Sequence, residues 1–209
     1  MGLSRKADIP DTRATLLASL KDLGDGSAWL TFFNTYWLLI YNFGLKMGLN
    51  DADARDLVQS VMATVSRKMP GFVYDPEKGQ FRNWLLAIVR SRLADMRRKA
   101  RRHARQESAE ALESVGAPWV VDPLVEEGEL EKIWATEWGE QLVEMALERV
   151  KARVKPKQYQ LFHCYVIEEW SARQIEEMLG ASAASARMAK RRVGAIYEEE
   201  LNMLKEGEL

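Results

Sequence analysis

The stretch FRNWLLAIVRSRLADMRRKARRHARQ, residues 81 to 106, decides how this chain folds. Its large apolar side chains recur at helical spacing and form a single stripe, made of Phe81, Trp84, Leu85, Ile88, Val89, Leu93 and Met96. From position 90 to position 105 the chain is densely basic and Asp95 is the only acid, the basic residues being Arg90, Arg92, Arg97, Arg98, Lys99, Arg101, Arg102 and Arg105. The stripe predicts a helix that packs on its neighbours. The arginines predict a polyanionic ligand, because guanidinium groups fork onto phosphate oxygens.

Charge is segregated along the chain, although the formal net charge is only −1 at pH 7. Between Glu107 and Glu148 acidic residues recur against Lys132 alone, whereas the segments 82–105, 151–157 and 187–192 are basic. Cationic segments joined by an acidic connector indicate two small domains that share a polyanionic partner. We expect an N-terminal segment at 1–26, a first domain at 27–105, an acidic linker at 106–139 and a second domain at 140–205.

The cysteine content and the hydropathy of the sequence indicate in which cellular compartment the protein works. Cys164 is the only cysteine, which excludes an internal disulfide and suits a reducing environment. The longest apolar stretch, Trp37 to Leu45, falls far short of the roughly 20 residues that cross a bilayer. Residues 1–11 lack the apolar core of a signal peptide. The sequence therefore predicts a cytoplasmic protein without membrane insertion.

Helical periodicity runs through the chain and strand alternation is absent, which predicts an all-α fold. A first helix over Ser27–Lys46 would place its aromatic and aliphatic residues in the core, namely Trp29, Phe32, Phe33, Tyr36, Trp37, Ile40 and Leu45. Asp51 would cap the next helix, which runs to Lys68. In the second domain we expect helices at 140–154, 157–168, 171–179 and 183–204. Ser171 and Ser182 would act as N-caps and Gly180 as the turn residue, a pattern typical of a helix-turn-helix.

A search for catalytic and metal-binding patterns favours a protein that is not an enzyme and needs no cofactor. His163 and Cys164 are adjacent, so on a helix their side chains point about 100° apart and poorly share one metal. The sequence has neither a glycine-rich phosphate loop nor a nucleophile elbow.

Three stretches, in their order along the chain, resemble a bacterial RNA polymerase sigma factor of the extracytoplasmic-function type in the sigma-70 family. They are DADARDLVQSV at 51–61, FVYDPEKGQFRNWLLAIVRSRLADMRRK at 72–99 and WSARQIEEMLGASAASARMAKRRV at 170–193. The resemblance implies a two-domain initiation factor with a region 2 helical bundle and a region 4 helix-turn-helix. Its implied partners are promoter DNA and the clamp and flap regions of core RNA polymerase, with an anti-sigma protein as a further candidate.

The resemblance also assigns site residues. The helix that docks on the clamp would use Asp53, Asp56, Leu57, Gln59 and Ser60. The reader of the −10 element, which holds a flipped base of the melted strand, would use Tyr74, Lys78, Gln80, Arg82, Asn83, Arg90, Arg97, Arg98 and Arg101. The reader of the −35 element would use Ser182, Ser185, Arg187, Met188, Lys190 and Arg191 in the major groove or on its flanking phosphates.

Several positions depart from the family pattern. Ser60 replaces a usual glutamate on the polymerase-docking helix, and Asn83-Trp84 replaces a tryptophan pair, which makes Trp84 a core anchor in our interpretation. Glu176 stands where a small residue usually packs on the recognition helix, and Ala181 where a β-branched residue is usual. A carboxylate at position 176 would cost a few kcal/mol if it were buried without a partner such as Arg187 or Arg191.

Two alternatives stay open at this stage. A helix-turn-helix regulator that acts without polymerase would explain the basic helix but not the acidic residues of 51–61. A helical nuclease would need a carboxylate or histidine cluster that the sequence does not display. A separate hypothesis is that the acidic segment around Trp119, Trp134 and Trp138 docks on the chain's own domains.

Overall fold

A computed structural model of the chain describes residues 13–73, 81–110 and 127–206. Its helices are α1 (Arg13–Ser19), α2 (Gly26–Lys46), α3 (Asp51–Lys68), α4 (Phe81–Glu110), α5 (Glu127–Arg153), α6 (Pro156–Phe162), α7 (Ala172–Leu179) and α8 (Ala183–Glu206). A 3-10 turn, Met69–Gly71, follows α3, and a π-helical turn, His163–Ile167, follows α6. These ranges contain no strand, which confirms the all-α prediction. None of the described helices is long and apolar enough to span a membrane.

The chain divides into two compact units, one over residues 10–141 and the other over 142–207. In the first unit, α3 packs between α2 and α4. The apolar stripe of α4 is buried as its spacing predicts, with Leu85 and Val89 fully inaccessible to solvent. The core of this unit is strongly aromatic, because Phe32 and Tyr36 on α2 contact Phe81 at the start of α4, with ring centroids 6.1 and 5.5 Å away.

Helix α2 shows where periodicity alone is insufficient. Phe32, Tyr36 and Ile40 are buried as predicted, but Phe33, Trp37 and Leu45 are exposed, so their assignment to the core is wrong. The helix is apolar on every side, and sequence spacing does not say which side meets α3. The predicted cap of α3 is wrong by one residue, since the side chain of Asn50, not Asp51, accepts from the backbone N–H of Asp53 at 2.9 Å.

Helix α5 begins at Glu127, well before the start predicted at Glu140. Its first half belongs to the first unit and contributes Leu130, Trp134 and Trp138 to the core. The Trp134 ring lies 5.2 Å from Phe43, edge to face, and Trp138 stacks on Tyr36 at 5.9 Å. Trp134 and Trp138 thus pack on helices of the first unit, whereas Trp119 lies outside the described residues, so the docking of the whole acidic segment stays a hypothesis.

An ion pair between a buried carboxylate and a partly exposed lysine also holds the first half of α5. The Glu137 side chain is 2% exposed and accepts from the Lys46 ammonium at the end of α2. This hydrogen bond raises the pKa of Lys46. An acidic residue that would be solvated in a linker therefore lies inside the helical bundle, on the same side of α5 as Trp134 and Trp138.

The second unit contains the rest of α5 together with α6, α7 and α8. The helix predicted at 157–168 is two elements, because α6 ends at Phe162 and a π-helical turn follows. The helix-turn-helix signals are confirmed. The Ser171 hydroxyl accepts from the N–H of Gln174 while the Gln174 side chain accepts from the N–H of Ser171, and Gly180 is left-handed with φ +59°. The hydroxyl of Ser182 accepts from the N–H of Ser185 at the start of α8.

Candidate nucleic-acid interface

The candidate nucleic-acid interface of the first unit lies along α4, on the side opposite to its buried stripe. Asn83, Arg98 and Arg101 are exposed, while Arg82, Arg90 and Arg97 are half-buried. The stems of the half-buried arginines can cover neighbouring apolar surface. Tyr74, Lys78 and Gln80, which the sequence also assigns to this interface, lie outside the described residues.

Arg97 is the most unusual of these arginines. Its Nε and one of its Nη atoms are shielded from solvent and have no hydrogen-bond partner among the residues that the structure describes. Burial, followed by the charge of Arg101 one turn later, lowers the pKa of Arg97. A guanidinium without acceptors next to a second cation is stabilised by an anion, because an anion supplies both acceptors and charge. The Nε of Arg82 is shielded and unsatisfied in the same sense.

Some arginines of α4 already have acidic neighbours. Arg92 lies 2.9 Å from Asp95, and Arg98 also pairs with that carboxylate. Arg90 reaches Glu131 of α5 at 3.9 Å. Such partly exposed pairs contribute about 0 to 1 kcal/mol each, which is little compared with a phosphate contact that also releases counterions. Arg97 and Arg101 are therefore the two sequence-assigned arginines best placed to take up a phosphate.

An aromatic cluster anchors the chain next to position 81, where α4 begins. Trp84 is half-buried and lies 4.6 Å from Phe72 and 5.5 Å from Phe81, measured between ring centroids. The structure thus agrees with the interpretation of Trp84 as an anchor of the core. Phe72 and Phe81 flank the segment assigned to base recognition, so the two ends of that segment start from one packed cluster.

The predicted polymerase-docking residues occupy the first half of α3. Asp56 and Gln59 are exposed, and Asp53 and Ser60 are half-buried. Leu57 is fully buried, so a direct contact between its side chain and a partner is not compatible with this packing. Leu57 instead supports the acidic surface from inside. The Asp53 carboxylate accepts from the Asn50 amide at 2.8 Å, which leaves Asp56 as the more available acid.

In the second unit, the polar residues assigned to DNA reading lie at and after the start of α8. Ser182, Ser185, Arg187, Lys190 and Arg191 are all exposed. Ala186, Ala189 and Val193 point inward and hold the helix against the core of this unit. Glu176 is exposed as well, so its carboxylate stays hydrated and the desolvation cost considered from sequence does not arise.

Sequence reasoning missed a basic cleft beside this helix. The cleft has a volume of about 590 Å³, and its polar lining includes Lys155, Lys157, Ser182, Ser185 and Arg192. Met188 and Leu161 form part of its apolar lining. The basic composition of 151–157 was a signal, but only the fold places those lysines next to the turn that precedes α8.

Comparison with known proteins points the same way as this geometry. Residues 32–103, which include α3 and most of the basic part of α4, match Sigma-70 region 2. The chain is also 30% identical over 99 residues to the ECF RNA polymerase sigma factor RpoE of Cereibacter sphaeroides, an alignment that covers 47% of this chain and 53% of that protein. The chain thus spans about half the length of the curated relative that it matches. The matched segment shows that the chain contains Sigma-70 region 2, and the similarity over 99 residues supports a sigma factor of the extracytoplasmic-function type.

Proposed function

We propose that this protein is a transcription initiation factor that binds core RNA polymerase and directs it to specific promoters. The observation that carries the proposal is the arrangement of α4, whose buried stripe fixes it in a region 2 domain while Arg97 presents unsatisfied guanidinium nitrogens beside Arg101. A regulator that needs no polymerase is the alternative function. Such a regulator would work with the cationic start of α8 and would have no use for the acidic surface on α3.

In the proposed function the first unit holds the melted −10 strand. Arg97 and Arg101, one turn apart, bind neighbouring phosphates, Arg82 binds the backbone near the start of α4, and the segment between Phe72 and Phe81 holds an unstacked base. Strand binding then supplies free energy for opening the duplex, because phosphate contacts and base stacking form only with the single strand. The chain acts by binding alone and catalyses no reaction, and it works in the cytoplasm, where the chromosome is.

The second unit reads the −35 element in this proposal. Exposed Arg187, Lys190 and Arg191 lie within four positions of one another on α8 and can reach base edges or phosphates of one major groove. The basic cleft with Lys155 and Lys157 extends the positive surface towards the flanking backbone.

Run-off transcription with core polymerase, with and without this protein, on a library of promoter fragments tests the proposal. Discrete transcripts that depend on the protein would support it and would reveal the promoter motif. DNA binding without binding to core polymerase would support the alternative regulator instead.

Replacing both Arg97 and Arg101 by alanine is expected to weaken binding of the polymerase complex to forked promoter DNA by about tenfold to hundredfold. The slope of log K against log salt concentration should become shallower by about one to two, because two phosphate contacts disappear. Fluorescence anisotropy at several salt concentrations measures both quantities. A variant with Lys21→Ala and Lys132→Ala, two exposed cations of the same unit, has the same change in net charge and should bind normally. Equal losses in the two variants would contradict a specific role for Arg97 and Arg101.

Replacing Asp56 by arginine is expected to weaken binding to core polymerase by about tenfold or more, since it reverses a charge at the centre of the candidate docking surface. The Asp56 side chain is exposed, so the fold should be unaffected. Affinity can be measured by biolayer interferometry with immobilised core enzyme. Glu129→Arg, an equal charge reversal at an exposed site on α5, is the matched control. Wild-type affinity in the Asp56→Arg variant would exclude this surface of α3.

A further inference from the structure

Helix α2 exposes an apolar surface that neither the proposed polymerase contacts nor the proposed DNA contacts use. From Gly26 to Leu45 the sequence contains no charged residue. Half of the large apolar side chains that are exposed in the described part of the chain lie on this helix, and Leu30 is 60% exposed. We define the aromatic face as Leu30, Phe33, Trp37, Tyr41 and Leu45.

The aromatic face is continuous. At 100° per residue its five side chains fall within about 120° of arc on one side of the helix. Phe33 and Trp37 stack with ring planes 11° apart and centroids separated by 6.4 Å, and Trp37 lies 6.2 Å from Tyr41. Singly exposed apolar residues are ordinary on protein surfaces, but a contiguous strip of large side chains marks an interaction site.

We propose that this face binds a second copy of the same chain through an antiparallel pairing of the two α2 helices. The face is nearly symmetric in sequence about Trp37, with large side chains four residues to each side and again seven residues before and eight after. A two-fold axis at Trp37 would bring Phe33 opposite Tyr41 and Leu30 opposite Leu45 of the other copy. Such self-complementarity is what an isologous interface requires.

Charge and area also favour a second copy. Because no charged residue lies between Gly26 and Leu45, two identical faces meet without like-charge repulsion, and the chain as a whole is close to neutral. From the exposed fractions of Leu30, Phe33, Trp37 and Leu45, with Tyr41 half-buried, the face exposes roughly 400 to 500 Å² per copy, so a dimer would bury at most about 900 Å², the size of a weak, transient interface. A dimer of this size should be reversible, with a dissociation constant in the micromolar range.

The dimer would affect the function proposed above, and this consequence rests on that function. The Tyr41 hydroxyl donates to the Asp51 carboxylate at 2.6 Å, so the aromatic face adjoins the start of α3, the helix assigned to polymerase docking. A second copy on α2 would then compete with polymerase for access to α3. Dimerisation is measured with the protein alone. A chain that stays monomeric would therefore leave the proposed function intact, and a chain that does not bind polymerase would leave the proposed dimer intact.

Sedimentation velocity of the full chain from about 1 to about 300 micromolar tests the proposal. We expect a monomer–dimer equilibrium whose dissociation constant rises at least tenfold in Trp37→Lys, because the substitution places two ammonium groups at the symmetry axis. The matched control is Leu23→Lys, which adds the same charge at an exposed leucine outside α2 and should dimerise like the wild type. A monomer throughout this range, or a dimer unaffected by Trp37→Lys, would overturn the proposal.

Cysteine crosslinking in a Cys164→Ser background tests the antiparallel arrangement. A mixture of Leu30→Cys chains and Leu45→Cys chains should form disulfide-linked dimers under mild oxidation, whereas each variant alone should crosslink weakly. Crosslinking of each variant with itself, and not in the mixture, would indicate parallel helices and would overturn the two-fold pairing.

Discussion

Replacing Trp138 by alanine is expected to lower the free energy of unfolding of the first unit by about 3 to 5 kcal/mol, the range for removing a fully packed aromatic side chain. The indole is 2% exposed, and its ring contacts Tyr36, Phe81 and Trp134, with centroids 5.9, 6.5 and 5.8 Å away. The truncation would leave a cavity bordered by three aromatic rings, two of which, Tyr36 and Phe81, are fixed by other helices. Urea unfolding followed by circular dichroism measures the loss, and hydrogen exchange assigns it to α2, α4 and α5.

The control for this prediction is Glu140→Ala, two residues later on α5. Glu140 is exposed, so its truncation should change stability by less than about 0.5 kcal/mol. A loss below about 1 kcal/mol in Trp138→Ala would mean that the first half of α5 is only loosely attached to the bundle. A large loss of unfolding free energy would therefore show that the first half of α5 is an integral fifth helix of this unit. A small loss would show that it is a loosely packed connector.

The sequence predicts α4 and the helix-turn-helix well, because each depends on signals within one segment. Leu85, Val89 and Leu93 recur at helical spacing, and the fold buries all three. Ser171, Gln174 and Gly180 define a capping box and a left-handed turn without any tertiary partner. Caps, turns and apolar stripes of this kind can be predicted from one amino-acid sequence, because their interactions lie within a single segment.

The first half of α5 illustrates what could not be predicted. Its acidic composition is typical of a solvated linker, and only Leu130, Trp134 and Trp138, each four residues from the next, show the buried face. Whether such a sparse stripe is buried depends on a complementary surface elsewhere, here provided by Phe43 and Tyr36 of α2. The burial of Glu137 depends in turn on Lys46, which lies far away in sequence.

In the candidate site, too, residue types are predictable from the sequence, whereas their burial is not. The cationic side of α4 is evident from residue types, since arginines alternate with the apolar stripe. Sequence does not reveal that the Arg97 nitrogens lack acceptors in the described structure, because that property depends on what packs around the side chain. Leu57 likewise matched a family contact position, yet its burial removes it from any surface. Residue identity predicts chemistry, whereas accessibility requires the fold.

Replacing Glu200 by alanine is expected to lower the free energy of unfolding of the second unit by about 3 to 5 kcal/mol, because it removes the buried carboxylate of an ion triad whose largely buried cation is Arg149. The Glu200 side chain is 6% exposed, lies 3.4 Å from the Arg149 guanidinium and also pairs with Arg153. These bonds connect α5 to α8 within the unit. Without the carboxylate, the 12% exposed side chain of Arg149 would keep its charge in a poorly hydrated position. Thermal and urea unfolding measure the effect.

Two further variants separate the effect of burial from the effect of charge at Glu200. One replaces the neighbouring exposed acid Glu199, and the other replaces both members of the buried pair. Glu199 also approaches Arg153 at 3.4 Å, but its side chain is 56% exposed, so Glu199→Ala should cost less than about 1 kcal/mol. Combining Glu200→Leu with Arg149→Met should recover most of the stability that Glu200→Ala loses, because an apolar pair of similar volume avoids the desolvation of both charges. Equal losses from Glu199→Ala and Glu200→Ala would show that burial adds nothing to this ion triad. If the paired variant is no more stable than Glu200→Ala, the stability of the second unit depends on geometry that only the charged groups provide.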